Sequence, residues 1–154
     1  MATPNKNREQ SPYYIKNITF NKVDIKQSPK HIIQIKNWII DTLLSEKKIP
    51  GFISYNFCSD NYLLKINKQY LQHNYFTDII TFDISEGKTI SGDIYISWDR
   101  VKDNAKTEKT LFHVELQRVI IHGVLHLCGY KDKSPKEQKQ MRDKENYYLS
   151  LLSK

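Results

Sequence analysis

Residues 122–132 read His122-Gly123-Val124-Leu125-His126-Leu127-Cys128-Gly129-Tyr130-Lys131-Asp132, and the placement of this stretch decides the fold. Val119, Ile120, Ile121, Val124, Leu125 and Leu127 make the segment apolar on nearly every side, as in a buried central helix. His122 and His126 stand four apart, so a helix puts both rings on one face, with Cβ atoms roughly 5–6 Å apart. Burying two imidazoles is costly unless both find partners. Gly129 lies where a helix commonly ends on a left-handed residue, so the chain can turn back there. Asp132 can then approach the two rings from outside the helix. Two imidazoles and a carboxylate form a three-ligand set with an open fourth position, the pattern of a catalytic zinc site. Cys128 is two residues from His126, which points it off the ligand face and into core packing.

Working outward, the 154 residues suit one domain with a real core. With 39% hydrophobic and 27% charged residues, the composition is that of a soluble globular protein. No apolar run has the length of a membrane span, and Met1 to Ser11 lacks the apolar core of a secretory signal. A cytoplasmic protein with no membrane partner is expected. Cys58 and Cys128, the only cysteines, are expected to be free. The net charge of +7 is compatible with a polyanionic partner, although scattered lysines are usually solvated surface.

Along the chain, residues 1–12 read as a disordered N-terminus and 13–152 as a single domain. Tyr14 to Phe20 predicts a first strand. Ser28-Pro29 predicts a helix start, and Pro50-Gly51 the end of that helix. Phe52 to Phe57 alternates as a second strand, and Ser59-Asp60 caps a second helix reaching Leu71. Asp78 to Ile84 is apolar enough for a central strand, and Ile90 to Ser97 is a fourth. Helices follow near Trp98 to Lys106, over Leu111 to Cys128, and from Ser134-Pro135 to about Leu152. The expected fold is α/β or α+β: a mixed sheet of about four strands packed against helices, with the histidine helix at the centre.

The sequence resembles the YbeY family of bacterial endoribonucleases. His122 to Tyr130 resembles the family signature H-G-x-L-H-L-x-G-Y-D-H. Ile66-Asn67-Lys68-Gln69-Tyr70 is similar to L-N-x-x-Y, Thr77 to Phe82 to T-D-V-L-S-F, and Gly92 to Ser97 to G-D-I-x-I-S. Order and spacing agree from about Asn67 through Glu145, just over half of the chain. The resemblance implies a single α/β domain, one bound zinc or similar divalent ion, and cleavage of single-stranded RNA in 16S 3′-end maturation and ribosome quality control. Ribosomal RNA, ribosomal particles and assembly factors are the implied partners. Two positions depart from the pattern. Lys131-Asp132 stands where the family has Asp-His, although a carboxylate is an acceptable zinc ligand. Leu71 stands where the family has an arginine important for cleavage, and a leucine cannot stabilise phosphate charge.

The reading that follows is a metal-dependent endoribonuclease. His122, His126 and Asp132 hold the metal, and Arg100, Lys131 and Lys133 contact RNA. No side chain is assigned a further catalytic role, since the ion itself would activate water or polarise the phosphate. A metallopeptidase is disfavoured because Gly123 stands where H-E-x-x-H enzymes carry their general base. A non-catalytic, metal-containing ribosome-assembly factor is the competing reading. A structural metal would want a fourth protein ligand, and His113 lies about 13.5 Å from His122 along a helix, too far to serve.

Overall fold

The computed structural model describes residues 13–152. The expected disordered segment, residues 1–12, lies outside them. Four strands form one sheet in the order β1-β2-β4-β3. They are β1 (Ile18–Lys22), β2 (Ile49–Cys58), β3 (Ile79–Asp83) and β4 (Thr89–Ser97). β1 and β4 run parallel to β2, and β3 is antiparallel to β4. Among the described residues, these helices accompany the sheet: α1 (Ile32–Ser45), α2 (Asp60–Leu71), α3 (Trp98–Thr107), α4 (Phe112–Leu127) and α5 (Pro135–Leu152).

The larger core lies on one face of the sheet. Ile53, Tyr55 and Phe57 of β2, and Ile90, Ile94 and Ile96 of β4, meet residues from α1, α4 and α5 there. Each strand alternates its side chains between faces, so these residues line one side. The opposite face has a smaller cluster, in which Leu63 and Ile66 of α2 cover Cys58 and Ile80. α4 is the most enclosed helix, with nine residues buried along its 16-residue length.

Several boundaries differ from the sequence expectation, each for a local reason. Ile15–Asn17 forms a short 3-10 turn, and β1 begins only at Ile18, where pairing with Ile53 begins. α1 begins at Ile32 rather than at Ser28-Pro29, with His31 in the left-handed conformation making the entry. It ends through Lys47, also left-handed, whose neighbour Lys48 donates its N–H to the Leu43 carbonyl at 2.9 Å. Pro50-Gly51 therefore does not stop the helix. It lies inside β2, where the pairing register shifts between Pro50 and Ile53. A proline without an N–H and a glycine both suit such an irregularity.

β3 is an edge strand, not a central one. It is apolar because helices lie on both of its faces. Ile79 packs into the larger core, while Ile80 and Phe82 join the α2 cluster. Hydrophobicity here reports coverage of the faces rather than pairing on both edges.

α5 opens on a capping box. Ser134 Oγ accepts from Glu137 N at 3.1 Å, and Glu137 Oε1 accepts from Ser134 N at 2.9 Å. Pro135 takes the first helical position, where its missing N–H costs nothing. Met141 and Tyr148 of α5 face inward. Among the described residues, no helix is long and apolar enough to cross a membrane.

Candidate metal centre

The end of α4 builds the site. Gly129 has φ +107, and its N–H donates to the His126 carbonyl at 2.9 Å. The Tyr130 N–H donates to the Leu125 carbonyl at 3.0 Å. These paired bonds are a Schellman motif, which satisfies the last carbonyls of the helix and reverses the chain. The reversal has two consequences. The Tyr130 carbonyl lies 2.9 Å from His126 Nδ1. Asp132 returns over the helix face, with Oδ2 at 3.2 Å from Nε2 of both His122 and His126.

Each histidine is held by its other nitrogen. His122 Nδ1 lies 2.7 Å from Glu145 Oε2, and Glu145 is itself buried on α5. Nδ1–H donors to a carboxylate and a carbonyl leave both Nε2 lone pairs facing Asp132. Arg118 donates to Glu145 Oε1 at 3.0 Å, and Arg142 lies 3.6 Å from the same oxygen. Burial opposes the charge on Glu145, but the His122 bond and Arg118 outweigh it and hold the carboxyl below its usual range. Burial likewise disfavours a charged His122, yet Glu145, with Asp132 and Asp78, raises its pKa.

The ligand atoms of His122, His126 and Asp132 all lie within 4.8 Å of one another. They form the one such group of three among the described residues. Neutral imidazole Nε2 and carboxylate oxygen are borderline-to-hard donors that suit zinc and similar divalent ions. The partners on both Nδ1 atoms are those a ligating histidine requires. The residues present therefore fit a metal. His113 is exposed near the start of α4 and takes no part. The cysteines are free, and burial pushes both thiols up to about 12, which keeps them protonated.

Gly123 has a structural reason. A Cβ there would lie 2.9 Å from Ile79 Cδ1 and 3.1 Å from Ile94 Cδ1. The residue after the first histidine faces the sheet, away from the site. A peptidase-type general base has no room at this position.

The remaining sequence candidates are more dispersed. Lys131 and Lys133 are exposed on either side of Asp132. Arg100 is engaged: it bonds Asp60 at 2.7 Å, lies 3.5 Å from Asp103, and sits 5.2 Å above the Phe76 ring. Leu71 ends α2 with 42% of its surface exposed, so it borders solvent and is not a core residue.

Two acids escaped the sequence reading. One is Glu145, whose signal was an acid on the inward stripe between Met141 and Tyr148. The other is Asp78, where burial raises the pKa and His122 lowers it. Asn104 donates to Asp78 Oδ2 at 3.1 Å.

The chain is similar to known proteins over most of its length. The profile of the family described as Endoribonuclease YbeY matches residues 16–153. An Endoribonuclease YbeY from Flavobacterium psychrophilum is 51% identical over 138 residues, covering 88% of this chain and 96% of the relative. One from Parabacteroides distasonis is 52% identical, covering 77% and 83%. A solution structure of a Thermotoga maritima protein superposes with a TM-score of 0.61 at 26% identity, covering 88% of each chain.

Proposed function

The chain belongs to the endoribonuclease YbeY family, and on that premise we propose that it cuts single-stranded RNA at a divalent metal held by His122, His126 and Asp132. The observation that carries this reading is the convergence of two Nε2 atoms on one carboxylate oxygen, each at 3.2 Å. A bound divalent ion, zinc by its donor set, would polarise a phosphodiester and supply an acidified water. The protein's own part is to hold that donor set. Glu145 and the Tyr130 carbonyl keep the Nδ1 protons, so that both Nε2 atoms stay free to ligate. Arg118 donates to Glu145 Oε1 at 3.0 Å and balances its charge. Lys131 and Lys133, exposed beside Asp132, would meet the phosphates of such an RNA. Ribosomal RNA, with ribosomal particles as the setting and the cytoplasm as the place, completes the proposal.

Leu71 supports a second reading, a metal-containing assembly factor that does not cleave. Both are tested by incubating zinc-loaded protein with single-stranded RNA, beside metal-free protein and His122→Ala/His126→Ala. The expected result is about one metal per chain and cleavage in the loaded wild type, with both lost in the double variant. Full metal in the double variant would overturn the ligand assignment. Metal without cleavage, on naked RNA and on ribosomal particles alike, would favour the assembly factor.

A further inference from the structure

Residues 68–76 are all exposed, and they carry an unusual surface. Tyr70, Leu71, Tyr75 and Phe76 are between 42% and 62% exposed within seven positions. Single exposed apolar residues are ordinary, whereas a contiguous group marks a binding surface. This group is also held in shape. Asn67 is 2% exposed, and its side chain donates to the Tyr75 carbonyl at 2.9 Å. Its own carbonyl accepts from His73 N at 3.1 Å. The His73 and Tyr75 rings lie 5.2 Å apart, and the Arg100 guanidinium sits 5.2 Å from the Phe76 centroid. One buried asparagine thus clamps a loop whose rings face water.

The loop leads into β3, which packs against the sheet side of α4, the helix that carries both histidines. It runs into Asp78, whose carbonyl accepts from Ser97 N at 2.9 Å. Ile79 then packs at Gly123, the residue beside His122. Between Asp60 and Asp78 the chain holds Lys65 and Lys68 and no acid, so the segment itself carries net positive charge, which suits a polyanion.

We propose that Tyr75 and Phe76 form a stacking platform for unpaired RNA bases on the loop that enters β3. Aromatic faces accept any base, which suits single-stranded RNA read without a fixed sequence. Duplex RNA keeps its bases inside and would gain nothing from this surface. The platform rests on the reading that the enzyme acts on single-stranded RNA, and it explains binding where Leu71 offers no charge.

The test uses a non-cleavable 2′-O-methyl single strand containing 2-aminopurine, and the same strand with abasic positions. Wild type, Tyr75→Ala, Phe76→Ala and the ring-restoring Tyr75→Phe are titrated by fluorescence. The expected result is quenching by wild type and about 10-fold weaker binding for each ring removed. Tyr75→Phe should bind as wild type, and the alanine variants should bind the abasic strand no worse than wild type does. Equal weakening on both strands would assign the loop to backbone contacts and overturn the platform. Unchanged binding by the alanine variants would overturn it too, and would leave the surface to a protein partner. Melting temperatures should not move, because the rings are exposed. Cleavage by wild type, run in parallel, separates failure of the platform from failure of the enzymatic reading.

Discussion

His122 has two ring nitrogens, and the partner of one decides the use of the other. Its Nδ1 lies 2.7 Å from a Glu145 oxygen, which leaves Nε2 free to ligate a metal. Glu145→Gln retains an acceptor of nearly the same shape but removes the negative charge that Arg118 balances. Loss of such an outer partner commonly weakens metal binding by about 10–100-fold. That weakening is the expected result, measured by competition with a coloured chelator, with the fold intact by circular dichroism. Unchanged affinity would reduce Glu145 to a packing residue. The grouping of His122, His126 and Asp132 was legible in the sequence, because four-residue spacing and a glycine stop are local facts. Glu145 was not. Its place among inward residues of α5 announced a partner, but the partner lies 23 positions away and depends on how α4 packs against α5.

Between elements, the turn after α4 does what a loop of arbitrary geometry could not. Gly129 adopts φ +107 with open space around the missing Cβ. Gly129→Ala would meet backbone strain rather than a clash. The expected cost is about 1–2 kcal/mol of stability, read from denaturant midpoints. Metal affinity should fall with it, since the same turn presents both the Tyr130 carbonyl and Asp132. A variant with wild-type stability and affinity would show that the turn does not set the site. Local punctuation was readable where the helix end was glycine. It misled at Pro50-Gly51, which reads as a helix stop but serves a register shift inside β2. It also misled at β3, whose apolar sequence suits a central strand although helices cover an edge strand on both faces. Those distinctions depend on neighbours far along the chain.

Across the whole molecule, Glu46 joins three parts that the sequence keeps far apart. In Ser45-Glu46-Lys47-Lys48 it looks like a solvated helix end. The fold brings it the Tyr130 hydroxyl at 2.5 Å, Lys144 at 3.1 Å, and the Tyr148 hydroxyl. It therefore ties the end of α1 to α5 and to the turn that brings Asp132 over the two histidines. Burial works against its charge, but Tyr130, Tyr148 and Lys144 prevail and hold its pKa below the ordinary 4.5. A carboxylate with a depressed folded pKa stabilises the native state fully above its unfolded value. That contribution is lost as pH falls through the folded value. Glu46→Gln removes the charge at every pH and leaves donors poorly matched, at a cost of about 1–3 kcal/mol near neutrality. The gap between wild type and variant should narrow as the pH falls below about 4, because wild type then protonates toward the same neutral state. Denaturation curves at neutral and acid pH measure that gap directly, with other titrating groups cancelling between the two proteins. A gap of the same size at both pH values would mean that the Glu46 charge contributes nothing and that shape alone holds these elements together.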